Sequence, residues 1–143
     1  MTLYETLKTR AQQAAQALSL PLGWEGEAFT PPQTAHVRGK LTFGESRAAS
    51  LGSGGLTRTD GRMELTIVTP SGADAQAAAL AASVQSCFPR GTMLDFTQGA
   101  ASLGTATLGT PASAAPHSEG THILCAVTVP FWAFSRTVLQ IKE

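Results

Sequence analysis

The chain has 143 residues, in which ten lysines and arginines balance ten aspartates and glutamates. That length predicts one domain over residues 1–143 with a core of its own. The charge balance gives no whole-molecule attraction to nucleic acid or an anionic bilayer, and no window approaches the roughly 18 continuous apolar residues of a membrane span.

The first residues, Met1 to Lys8, lack the apolar run of a secretory signal, so a cytosolic protein is expected. Cys87 and Cys125 then stay reduced, and both lie in apolar runs that predict buried free thiols. Charged residues make up only 14% of the chain. A surface so poor in charge is either covered by neighbouring subunits or reflects a sequence that uses Ala and Gly freely.

Thr2 and Glu5 fit a capping box, and Leu3, Leu7, Ala11, Ala14, Ala15 and Leu18 recur at helical spacing. A first helix is predicted, ended by Pro21. Residues 21–33 read as a Pro- and Gly-punctuated connector anchored by Trp24 and Phe29. Residues 34–43 alternate as a strand, with Val37, Leu41 and Phe43 on one face and His36, Arg38, Lys40 and Thr42 on a solvent face. Four glycines, three serines and no apolar period make residues 44–60 a long flexible loop.

Residues 62–69 alternate again, with Met63, Leu65 and Ile67 inward. Pro70, Ser71 and Gly72 turn the chain into a second helix from about Ala73 to Cys87, stopped by Pro89 and Gly91. Residues 92–97 and 102–108 look like short strands joined by Gln98 and Gly99, and 109–120 look like a loop. Thr121–Phe131 is a clear strand with Ile123, Cys125, Val127, Val129 and Phe131 on one side. Pro130 points to an edge position or a strand end, and Trp132–Ile141 to a final short strand. The sum is an α+β fold: two helices packed on one face of a mostly antiparallel sheet of about five strands.

No arrangement for chemistry emerges. The run Leu51 to Gly55 lacks the lysine of a phosphate loop, no Gly-x-Ser-x-Gly elbow exists, and Asp60, Asp74 and Asp95 are scattered. His117, Glu119 and His122 could be drawn as a metal site, but isolated polar loop residues are the commoner case. Catalytic, cofactor-binding and metal residues are therefore all expected to be absent. Around the long loop, Arg38, Lys40, Arg47, Arg58 and Arg62 outnumber Glu45, Asp60 and Glu64. A solvated face is the ordinary reading, and an acidic patch on a protein partner the functional one.

The order of these parts resembles a known family. The amphipathic first helix leads to Trp24-Glu25-Gly26-Glu27-Ala28-Phe29-Thr30-Pro31-Pro32, then to a strand, a long loop and Gly61-Arg62-Met63-Glu64-Leu65-Thr66-Ile67-Val68-Thr69-Pro70-Ser71-Gly72. An Ala-rich helix closing on Phe88-Pro89-Arg90-Gly91 and a Val-rich strand complete the match, roughly Leu3 to Phe134. The chain resembles the tail-terminator, or tail-completion, proteins of long-tailed bacteriophages and related prophage elements.

The resemblance implies a non-enzymatic subunit of a six-membered ring on the head-proximal end of the tail tube. That ring would stop tube polymerisation and present a docking surface to the filled head. Implied partners are other copies of the chain, the tail-tube protein and head–tail joining proteins, with no specific nucleic acid and no membrane. The implied location is the host cytoplasm during assembly and then the virion tail. Arg47, Arg58 and Asp60, in or beside the loop, are the expected interface residues. Two alternatives stand beside this reading. One is another virion joint, such as a head–tail connector or tail-tube-like protein. The other is a small hydrolase or ligand-binding domain with a pocket near Trp24, His36 or His122.

Overall fold

The structure, a computed structural model, describes residues 1–48, 55–97 and 102–137. Helix α1 spans Leu3–Ala17 and starts as its capping residues predict, with the Glu5 N–H donating to the Thr2 hydroxyl at 3.2 Å. It ends before Pro21 has any say. Ser19 adopts a left-handed φ of 55°, its N–H bonds the Gln16 carbonyl, and the Leu20 N–H bonds the Ala15 carbonyl at 2.9 Å. This is a Schellman closure with serine in the place glycine usually takes.

The strands are β1 (Leu22–Trp24), β2 (His36–Ala48), β3 (Leu56–Pro70), β4 (Met93–Thr97), β5 (Ser102–Leu108), β6 (Ala112–Ser113), β7 (His117–Glu119) and β8 (His122–Thr137); helix α2, Asp74–Ser86, falls between β3 and β4. They form an eight-stranded sheet rather than the expected five strands, in the order β1-β2-β3-β8-β5-β4, with β6 and β7 also paired to β8. The three additional strands lie in stretches 21–33 and 109–120 that read as connector and loop. Two or three residues cannot display an alternation, but they can satisfy backbone groups along the longer β2 and β8. All described pairings are antiparallel except β1 with β2.

The long loop is also corrected. β2 continues to Ala48 and β3 begins at Leu56, paired in register beyond a bulge between Phe43 and Ser46. Of the flexible loop expected over 44–60, only 49–54 lie outside the described residues. Apolar alternation reports burial, so a strand pair with little to bury leaves no periodic trace. Likewise β8 is one strand of 16 residues, not a strand followed by another, and it pairs with β3 from Arg136 to His122. The remainder of the expected Trp132–Ile141 strand, 138–141, lies outside the described residues.

Pro130 sits inside β8 between two neighbours, against the expectation of an edge or an end. Its carbonyl accepts from the Gly109 N–H at 2.8 Å. N and C=O of one strand residue point to the same side, so the donor that proline lacks would face the break between β5 and β6, not β3.

Both helices pack on one face of the sheet. Leu3, Leu7 and Ala11 of α1 and Ala77, Ala81 and Val84 of α2 join Phe88, Met63, Leu65, Ile67, Val127 and Val129 in one buried cluster. Small residues on α2 let it lie close, while each fully buried Leu, Val or Phe contributes about 1.5–3 kcal/mol. On the reverse face His36 is 1% exposed, not solvated as its alternation predicted. The Phe29 ring lies 5.8 Å from its own, and the β2–β3 register puts it opposite buried Val68. The face was read correctly; the connector folds over it, which no local pattern encodes.

Candidate protein interface

The β2–β3 hairpin carries the expected interface residues, and folding brings all three together. Arg47 and Arg58 are directly opposite in the ladder. The Arg58 Nε donates to Asp60 Oδ1 at 2.8 Å, and Arg47 Nη2 stands 3.8 Å from Asp60 Oδ2. They project from the face opposite the helices, because Arg58 and Asp60 keep the parity of Arg62 and Glu64 while Met63 and Leu65 point to the core.

The same motif repeats four residues along the strand. Glu64 accepts from Arg62 Nε at 2.8 Å and lies 3.4 Å from Lys40 Nζ. Arg62 first, and Lys40 after it, hold the Glu64 carboxyl below the usual carboxylate value of 4.5, with partial burial acting in the opposite direction. Each carboxylate thus sits between two cations, and the row formed by Lys40, Arg47, Arg58 and Arg62 keeps positive charge that Asp60 and Glu64 do not cancel. Such pairs contribute only about 0–1 kcal/mol each at an exposed surface. Their main effect is to orient the guanidinium groups.

Two residues of this face escaped the sequence reading. The Arg58 guanidinium carbon lies 5.9 Å from the Trp132 ring centroid and 5.6 Å from that of Phe134. Both aromatics lie on β8 across from β3, where Trp132 pairs with Asp60 and Phe134 with Arg58. Treating β8 as a continuous strand would have put Trp132 and Phe134 on the face opposite Phe131. Beside them an open groove of about 580 Å³ is walled by Leu56, Leu103, Phe134, Arg136 and Asp95.

Among the described residues the remaining candidates, Trp24, His36, His117, Glu119 and His122, keep separate local contacts. Trp24 Nε1 donates to the Tyr4 hydroxyl at 2.6 Å, and the two rings meet edge-on. The groove beside it, about 490 Å³, is walled by Trp24, Phe29, Arg38, Lys40, Glu64 and Thr66, without His36 or His122. His36 Nδ1 lies 3.1 Å from the Thr34 carbonyl, and its Nε2 has no partner among the described residues. His117 Nε2 is 4.0 Å from Glu119 Oε2, whereas His122 Nδ1 lies 3.2 Å from the Thr121 hydroxyl. Among the described residues no three His, Cys, Asp or Glu side chains gather as metal ligands.

Cys125 is buried, its Sγ 3.2 Å from the Ala114 carbonyl, and burial pushes its thiol pKa up. Cys87 is a second free thiol, half-buried. Among the described residues no helix is long and apolar enough to cross a membrane.

Nine chains of solved structures match. One is 19% identical, with a TM-score of 0.60 over 98% of this chain and 96% of the other, a likeness that shows the fold alone. No curated protein matches. The family model described as phage tail terminator protein matches residues 2–131. The chain belongs to the phage tail terminator family.

Proposed function

We propose that this protein caps the head-proximal end of a phage tail tube as a closed homo-oligomeric ring, a hexamer, that stops tube polymerisation and offers the docking surface for the head. The family is structural, not enzymatic, and its members are tail components. The observation that carries the reading to particular residues is the oriented cluster of Arg47, Arg58 and Asp60 on the β2–β3 hairpin. Guanidinium groups held in place by a carboxylate lose less entropy when a partner binds, and their uncancelled charge suits an acidic protein surface. The partners would be neighbouring copies, the tail-tube protein and head–tail joining proteins. Assembly would occur in the host cytoplasm, with the protein ending in the virion tail.

Mixing purified protein with growing tail tubes tests this directly. Electron micrographs should show tubes of arrested length with a ring at one end. Arg47→Glu should lower capping while leaving the fold intact, because Arg47 is exposed and 3.8 Å from its carboxylate partner. Tubes that grow unchecked would overturn the capping role. Open tubes made of this chain itself would favour a tail-tube-like protein instead.

A further inference from the structure

The half of the sheet beyond β1 is bounded by two open edges. Val37 N–H and the Gly39 carbonyl bond to the β1 side; the bulge after Phe43 shifts this outward set by one residue, so Ser46 and Ala48, on either side of Arg47, turn their backbone groups outward past the end of β1. At the opposite edge the Thr97 N–H bonds the Met1 carbonyl at 2.7 Å, away from β5, and Asp95 and Met93 share that direction. Among the described residues none of these four has a backbone partner on its outer side. Unpaired edges are a hazard that proteins blunt or cover.

The two edges match in chemistry. One ladder rung runs Arg47, Arg58, Phe134, Thr105, Asp95, so a cation stands at the β2 edge and a carboxylate at the β4 edge, on one face. On the same face as Asp95, Met93 is 68% exposed at the β4 edge. The directions match as well. From β2 through β3, β8 and β5 to β4 every pairing is antiparallel, so the outer two of five strands run the same way.

Resting on the ring reading above, we propose that the β2 edge of one copy pairs in parallel with the β4 edge of the next, Arg47 meeting Asp95 of the neighbour, so that ring closure abolishes both edges. The contact is heterologous, joining two different surfaces, and this is the type that closes into rings. A β2 edge pairing with itself would give a two-fold dimer and leave β4 open. The bulge between Phe43 and Ser46, and the Met1 carbonyl on Thr97, restrict pairing to a partner with the complementary gap.

Two sets of variants test it. Met93→Pro removes an outward-facing donor at the first, exposed residue of an edge strand, where proline is tolerated. It should weaken ring assembly about tenfold, as loss of a hydrogen bond and its register would, with the monomer still folded by circular dichroism. Asp95→Arg alone should also weaken assembly, and Arg47→Asp with Asp95→Arg should restore it. Ring formation is read by light scattering and electron microscopy, with and without tail tubes. Should wild type form rings while Met93→Pro and Asp95→Arg assemble equally well, the edge contact is wrong and the ring survives. Should wild type form no ring in either condition, the ring reading fails and this contact with it. If Met93→Pro does not fold, the charge exchange alone decides.

Discussion

Arg58 and Asp60, two residues apart on one strand, are joined by a 2.8 Å hydrogen bond that lays the guanidinium between Trp132 and Phe134. One arginine thereby links the charge row of the β2–β3 hairpin to the aromatic pair of β8. Arg58→Ala should destabilise the fold by about 0.5–1 kcal/mol, the magnitude of an exposed cation–π contact. It should also change Trp132 fluorescence. Arg58→Lys should recover less than half of the loss, because an ammonium keeps the charge without the planar fork. Urea unfolding followed at the tryptophan emission reads both.

Glu64 gives the hairpin a dependence on acid. Its folded-state pKa is lowered, by Arg62 first and then Lys40, so its carboxylate form is favoured by folding. The resulting stability is fully present above the unfolded carboxylate value of about 4.5 and is lost as pH falls through the lower folded value. Wild type and Glu64→Gln should therefore differ most near neutrality and converge in acid. Urea midpoints measured between neutral and strongly acidic pH would show a constant gap if Glu64 were unpaired.

Gly104 is required by contact. A Cβ there would stand 2.4 Å from Phe96 Cζ and 2.6 Å from the Phe134 carbonyl oxygen. The first clash could be relieved by a ring shift, but the second is with the backbone of the paired strand. Gly104→Ala should cost about 1–3 kcal/mol, as overpacking does, and thermal unfolding would detect it. A neutral result would mean that β5 and β8 are further apart than described.

Ser19 offers the opposite case. It closes α1 with φ at 55°, a conformation that costs a residue bearing a Cβ roughly 1–2 kcal/mol. Ser19→Gly should raise the melting temperature, by a net gain below that figure because glycine also loses more entropy on folding. A lower melting temperature would show that the serine side chain contributes more than its backbone strain removes.

Elements with a buried side were legible in the sequence. The α1 stripe of Leu3, Leu7, Ala11 and Ala14, the inward set Met63, Leu65 and Ile67, and the alternation from Ile123 to Phe131 all reappear in one core. β4 and β5 lie where the short strands were expected. What was missed has a physical cause. β6, β7 and the distal parts of β2 and β3 are held by backbone pairing to longer neighbours and bury few side chains of their own, while β1 buries Trp24 but is too short to show an alternation. Hydrophobic period cannot register a bond between main-chain groups.

The interface residues were half legible. Arg47, Arg58 and Asp60 stood out because they flank a Gly- and Ser-rich stretch, yet nothing local says that Arg47 faces Arg58 or that Asp60 lies between them. Trp132, Phe134 and the burial of His36 depend on strands and a connector distant in sequence. By itself the sequence determined the helices, the core face and the family, since each rests on side-chain patterns carried within a segment. Only the tertiary structure decided the sheet order, its open edges and the charge row, since these depend on which backbone groups find partners across long separations.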